Sequence, residues 1–313
     1  MSASLHGVFP VLPTPFGPDG APDEAAFLRL ADFAVAAGVQ GIVFPGMASE
    51  VETLSPEERA GLVAALGRHL GGRLPFLVGA SDADPARAAA RAREGREAGA
   101  AAAMIMAPPG AAGDVPKQVA FFAAVAEGVP GLPLMLQNAP PPNGAGLSPE
   151  AVAAVCRAVP AIRYVKEETL PCGQHVSAIL AEVGDRLDGV FGGAGARYVM
   201  DELARGAAGT MPAAEMADLH VALVRAFREG DYAEARRLYS RSLPLLLVQA
   251  VFRVRLTKAV LAARGLLDST FARAAGPSLD ADDQAELAAL LAEAADLFPV
   301  HPVSRENTRH AAA

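Results

Sequence analysis

The stretch 132–167, LPLMLQNAPPPNGAGLSPEAVAAVCRAVPAIRYVKE, decides the fold. It opens with an apolar run, Leu132–Gln137, passes through a loop rich in proline and glycine, and closes with a second apolar run, Ile162–Glu167. Between them Ser148-Pro149-Glu150 introduces an Ala-rich amphipathic segment. Serine caps a helix, proline suits its first turn and glutamate its positive end, so this segment predicts a helix. Continuous apolar runs predict strands buried on both faces, which is the pattern of a parallel sheet covered by helices.

The same unit repeats outward in both directions. Further runs lie at Gly7–Leu12, Gly41–Pro45, Pro75–Gly79, Ala101–Met106, Asp188–Phe191 and Ala207–Met211, and successive runs start 34, 34, 26, 31, 30, 26 and 19 residues apart. That spacing fits a strand plus a helix. Ser55-Pro56-Glu57-Glu58 and Asp84-Pro85 repeat the cap signal. Eight such units predict an α/β chain folded as a (β/α)8 TIM barrel. An open doubly wound sheet is the rival, but no G-x-G-x-x-G follows the first run and no acidic residue holds the ribose position. Residues 1–230 are therefore expected to form a barrel carrying the active site. Strand signals stop after about Arg228, and 231–313 reads as a C-terminal helical extension, interrupted near Gly265–Gly276, packed on the barrel or on another subunit. Its tail, 301–313, reads as poorly ordered.

Composition narrows the function. The chain has 313 residues, 52% of them hydrophobic, enough for one sizeable core. Its formal charge of −8, with no cationic stripe, argues against nucleic acid and anionic membranes as partners. The start of the chain lacks a signal-peptide pattern, and the longest apolar run, around Leu243–Phe252, falls short of the roughly 20 residues that span a bilayer, so a cytoplasmic location is expected. Cys156, in a helical pattern, and Cys172, in an expected loop, read as free thiols. The six histidines (His6, His69, His175, His220, His301 and His310) are scattered, which predicts no metal site. No cofactor is implied.

Barrel enzymes carry their chemistry at the C-terminal ends of the strands. Only three of the 27 basic residues are lysines (Lys117, Lys166 and Lys258), so a lysine ending an apolar run needs a reason. Alternation places Ile162, Tyr164 and Lys166 on one face. A lysine turned into a barrel is desolvated, which favours the neutral amine and makes it a nucleophile toward a ketone. A buried ion pair with Glu167 or Glu168 is the structural alternative, and residue position alone leaves both open.

Thr14-Pro15-Phe16, the turn Gly46 to Glu50 followed by Leu54-Ser55-Pro56-Glu57-Glu58-Arg59, Asn138-Ala139-Pro140, and Val165-Lys166-Glu167 keep a characteristic order and spacing. In these the chain resembles the dihydrodipicolinate synthase and N-acetylneuraminate lyase family, class I aldolases and lyases that handle pyruvate through a lysine Schiff base. The resemblance implies that Lys166 forms that Schiff base with a 2-keto acid, for aldol chemistry or for dehydration. It also implies a homotetramer or homodimer, with small keto acids and aldehydes as substrates. The substrate site is expected to draw on Thr14, Met47, Ala48, Ser49, Asn138, Gly193 and Met211.

The departures are informative. Met47 and Ala48 stand where the family usually has hydroxyl residues; their amides can still bind a carboxylate, but no hydroxyl relay can run through them. Ser49, where the family usually has glycine, restores one hydroxyl or merely bonds within its turn. Gln137 replaces the proton-shuttling tyrosine, Pro109 and Gly110 replace the tyrosines after strand four, and Pro142 replaces the arginine that reads the aldehyde's carboxylate. Glu168 is the first candidate for acid/base work, with His175 and Cys172, in the expected following loop, behind it. Catalytic residues are thus expected to be Lys166, Gln137 and Glu168. The pocket beyond the keto acid is expected to be less cationic than in the synthases, which disfavours aspartate semialdehyde. Two other readings stay open, an authentic 4-hydroxy-tetrahydrodipicolinate synthase and a catalytically degenerate keto-acid-binding regulator.

Overall fold

The computed structural model describes residues 4–300; the tail 301–313, with His301 and His310, lies outside the described residues. Eight parallel strands occur: β1 (Gly7–Val8), β2 (Ile42–Val43), β3 (Phe76–Gly79), β4 (Ala102–Met106), β5 (Leu134–Asn138), β6 (Ile162–Glu167), β7 (Gly189–Gly192) and β8 (Gly209–Thr210). Each of the eight apolar runs coincides with one of them, β5 and β7 ending one residue beyond their runs. The sheet runs β1-β8-β7-β6-β5-β4-β3-β2, and a parallel bridge between Val11 and Val43 joins its two ends into a barrel.

Helices α1 (Glu24–Ala36), α2 (Pro56–Leu70), α3 (Pro85–Glu97), α4 (Val115–Gly128), α5 (Pro149–Ala158), α6 (Cys172–Val183), α7 (Val199–Ala204) and α8 (Ala217–Arg228) follow the strands in turn. The cap signals work as expected: Ser55 Oγ accepts from Glu58 N in a capping box, Asp84 Oδ1 from Ala86 N, and Ser148 Oγ from Ala151 N. Cys172 opens α6 instead of lying in a loop, and His175 sits in the first turn of the same helix.

Two apolar clusters separate inside from outside. Leu5, Phe9, Val43, Leu77, Met104, Met135, Tyr164, Phe191 and Met211 fill the barrel interior, and a larger cluster lies between strands and helices. Tyr164 belongs to the inner set, and Lys166 follows it by alternation. Ile162 does not share that face. The register with β5 slips between Leu134–Ile162 and Met135–Tyr164, so β6 carries one extra residue there, and Ile162 joins the outer cluster.

Beyond the barrel lie α9 (Tyr232–Phe252), which packs on α7 and α8, and α10 (Val254–Ala263) and α11 (Ala281–Glu293), which pack on α9. Arg253 separates α9 from α10 with φ 51 and ψ −125, a region non-glycine residues rarely occupy. Irregular chain between α10 and α11 returns over the strand-two turn. Among the described residues no helix is long and apolar enough to cross a membrane.

Candidate active site

A cavity of about 210 Å³ opens at the C-terminal ends of the strands. That is below the roughly 300–1,000 Å³ of pockets for drug-sized ligands, so its occupant is small. Lys166 reaches it from β6, with its side chain 5% exposed. Glu168, two residues on, is 9% exposed and places Oε1 3.4 Å from Lys166 Nζ. Gln137, paired with Lys166 across β5 and β6, donates from Nε2 to Glu168 Oε2 at 2.6 Å. The Ala194 amide donates to Oε1 at 3.3 Å.

Ala194, Gly195 and Ala196 all adopt positive φ, and two of these three residues carry a Cβ, so the loop after β7 is held under strain where it meets Glu168. A Cβ on Gly193 would lie 2.5 Å from Glu168 Cγ and 2.6 Å from Oε1. Gly193 thus supplies space for the carboxylate and does not itself line the cavity.

The strand-two turn faces the lysine. Met47–Ser49 forms a single 3₁₀ turn, and the Met47 and Ala48 amides at its start have no acceptor among the described residues. Both residues line the cavity, as does Met211. Two free amides beside a lysine can hold a carboxylate without any hydroxyl.

Three expected ligands turn elsewhere. Ser49 Oγ accepts from Gly46 N at 2.9 Å and donates to Leu12 O at 2.5 Å; Thr14 Oγ1 donates to Ser49 O at 2.6 Å. Both hydroxyls brace the turn from behind. Asn138 follows the inward Gln137, so alternation turns it outward, where its amide grips Leu147 N and O and donates to Glu167 Oε2 at 2.8 Å. Glu167 also accepts from Thr169, whose hydroxyl meets His175 Nδ1 at 2.7 Å. Burial pushes the Glu167 carboxyl up to about 7 against the pull of these bonds. His175 is therefore bound into a network behind the strand, and the Cys172 thiol, buried, is pushed up to about 12.

Sequence reasoning missed the cavity's outer wall. Arg197 from the loop after β7, Gln249 from α9, and Arg253 and Arg255 at the α9–α10 junction all line it. The pocket is thus more cationic than expected, because Pro142 removes one arginine while the C-terminal helices, distant in sequence, bring others. It also missed the buried pair beneath the turn. Glu50, at φ 57, takes Lys258 Nζ on Oε1 at 2.5 Å and Ala274 N on Oε2 at 2.6 Å.

A (β/α)8 barrel with a buried lysine, a neighbouring carboxylate and unclaimed amides at its strand ends defines a keto-acid enzyme of the Schiff-base class. Residues 4–294 match the dihydrodipicolinate synthetase family model, and the chain belongs to that family. It is 32% identical to the L-2-keto-3-deoxyarabonate dehydratase of Azospirillum brasilense over 289 residues, 91% of this chain and 93% of that protein. It is 37% identical over 183 residues to the 4-hydroxy-tetrahydrodipicolinate synthase of Xanthomonas campestris, covering 58% of this chain and 60% of that one. The crystal structure of dihydrodipicolinate synthase from Rhodopseudomonas palustris superposes with a TM-score of 0.85 at 26% identity, over 93% of this chain and 98% of that chain. The protein is a lyase acting on keto acids, and its relatives are not confined to the synthases.

Proposed function

We propose that the protein dehydrates a small 3-deoxy-2-keto acid through an imine on Lys166. The observation that carries this reading is the juxtaposition of Lys166, Glu168 at 3.4 Å and the free Met47 and Ala48 amides on one cavity wall. The amides bind the C1 carboxylate and present C2 to the lysine. Lys166 Nζ attacks C2, the carbonyl oxygen leaves as water, and the resulting iminium acidifies the C3–H bond. Glu168 takes the C3 proton and returns it to the C4 hydroxyl as the C4–O bond breaks, so one carboxylate serves both transfers on one face and a second water departs. Water then cleaves the imine. Gln137, which cannot exchange protons near neutrality, orients Glu168. The dehydratase likeness over nine-tenths of the chain supports this direction over aldol cleavage.

Borohydride with pyruvate should attach the keto acid to one lysine, which peptide mass spectrometry locates at Lys166. Incubation with 2-keto-3-deoxy sugar acids should release the dehydrated product. Labelling only at Lys117 or Lys258, or no labelling by any keto acid, would overturn the mechanism.

The same reading makes the protein a cytoplasmic homotetramer or homodimer. Leu247 and Val251 on α9 are 64% and 57% exposed, an apolar face beyond the barrel's own needs, and two unpaired buried cysteines suit a reducing compartment. A monomer by light scattering at micromolar concentration would refute the assembly.

A further inference from the structure

The buried and half-buried arginines that hold the fold sit against carboxylates, among them Arg59 on Glu94, Arg241 on Asp296, Arg264 on Asp218 and Arg273 on Glu58. The three at the cavity do not. Arg197 donates to Gln249 Oε1 at 3.0 Å and reaches Leu246 O at 3.5 Å, both neutral acceptors. Arg255 gives one Nη2 bond to Ala274 O at 2.9 Å, and its buried Nε has no partner. The Arg253 side chain has no acceptor among the described residues, and its backbone is held at φ 51, ψ −125 to stand where it does. Among the described residues only two carboxylates line the cavity. Glu168 is engaged by Lys166, Gln137 and Ala194, while Glu52 lies at the exposed rim.

Arg253 repels Arg197 more than Glu168 attracts it, and like charges gathered this way raise the free energy of the empty site, which an anion arriving between them relieves. The same cavity holds both sets of groups. The Met47 and Ala48 amides and Lys166 line it together with Arg253 and Arg255 from the α9–α10 junction and Arg197 from the loop after β7.

We infer that the arginine wall binds a second anionic group of the substrate, so that the preferred substrate is a 2-keto acid ending in a carboxylate or a phosphate. This rests on the Schiff-base reading for the near end of the molecule.

The test compares paired acids of equal length by borohydride trapping on Lys166. The carboxylate arm sets 2-oxoadipate against 2-oxohexanoate, and the phosphate arm sets 2-keto-3-deoxy-6-phosphogluconate against 2-keto-3-deoxygluconate. In at least one arm the anion-ended acid should half-saturate at a concentration about 10- to 100-fold lower, the worth of hydrogen bonds to a charged group. The arm that shows the gap identifies the group. The ratio should collapse toward one in Arg253→Gln/Arg255→Gln and fall in Arg197→Gln, while Arg253→Lys keeps part of it. Because the ratio is read within each protein, partial misfolding cannot mimic the result. A ratio of one in both arms, or a ratio unchanged in the double variant, would overturn the inference and leave the Schiff-base reading intact. Calorimetry on Lys166→Ala, which cannot form the imine, reads the arginine wall alone. A preference for the anion-ended acid there upholds the inference even if no acid traps on Lys166, and equal binding there counts against it.

Discussion

Two buried lysines face glutamates in this protein, and the difference between them separates chemistry from architecture. Lys258 is fully buried, holds Glu50 at 2.5 Å, donates to Phe271 O at 2.7 Å and lies 4.4 Å from the centre of the Phe16 ring. Its partner's second oxygen is taken by Ala274 N. Lys166 is almost as buried but stands 3.4 Å from Glu168, a carboxylate already held by Gln137 and Ala194, and faces a cavity. Burial and a carboxylate partner are common to both. What distinguishes Lys166, the proposed nucleophile, is donor capacity left over and an open volume in front of it. The locked pair ties α10 and the chain around Phe271–Ala274 to the turn whose amides face Lys166, so one lysine sets the floor for the other's substrate.

Exchanging the two lysines should produce opposite failures. Lys166→Ala should abolish borohydride labelling and reduce turnover by at least about 10⁴-fold, while its melting temperature stays near that of the unaltered protein. Lys258→Met leaves the buried Glu50 charge without its lysine counter-ion, which costs about 3–5 kcal/mol, and should lower the melting temperature by several degrees. Its folded fraction should still label at Lys166, with a raised KM because the amide turn has lost its anchor. A Lys258→Met protein that is fully stable, or one that fails to label although folded, would erase the distinction.

A smaller effect tests the group that holds Glu168. Gln137→Leu removes a charge-assisted bond to its carboxylate, worth about 1.5–3 kcal/mol, so kcat should fall about 10- to 100-fold with little change in labelling by pyruvate. Equal losses in labelling and turnover would show that Gln137 shapes the pocket instead of orienting the acid.

The contrast between the lysines was only half legible in the sequence. Lys166 announced itself because it ends an apolar strand in a chain with few lysines, and Glu168 and Gln137 follow from strand position. Ser55, Asp84 and Ser148 marked helix starts through local hydrogen bonds, which is why the barrel could be counted before it was seen. Lys258 lies in an ordinary helical pattern, and its partner Glu50 is 208 residues away; no local signal joins them. The same holds for Arg253 and Arg255, whose helix pattern does not say which end of the barrel it meets. Asn138 was read as a ligand beside Gln137, although neighbours on a strand point to opposite faces. Ile162 was placed on the wrong face because a one-residue bulge reverses alternation and leaves no mark in an apolar run.

A third buried carboxylate completes the comparison, because it has no lysine at all. Glu202 on α7 is fully buried, neither of its oxygens has a hydrogen-bond partner, and a Cβ on Gly192 would lie 1.9 Å from Oε2. Burial first, and then the nearby Glu168 charge, push its carboxyl from 4.5 up to about 8. Folded protein therefore holds this proton through neutrality, whereas unfolded chain releases it near 4.5. Between these values the native state binds more protons than the unfolded state, so stability falls as pH rises, from full value below about 4.5 to its minimum above about 8. Glu167 and Glu215, each raised to about 7 chiefly by burial, act in the same direction over a narrower window. His220, buried and lowered to about 4, acts oppositely but only below its ordinary value of 6.5. Glu202→Gln removes one titration and keeps the shape. Its stability relative to the unaltered protein, measured by urea unfolding, should improve between pH 5 and pH 8 by about 1–3 kcal/mol, the scale of an unsatisfied buried group. Lys166 labelling should be unaffected by the same change at pH 6, where the side chain at position 202 is neutral in either protein. A gap in stability that stays constant with pH would mean that Glu202 is ionised in the folded state and finds a cation, and would place it with Glu50 in the locked class.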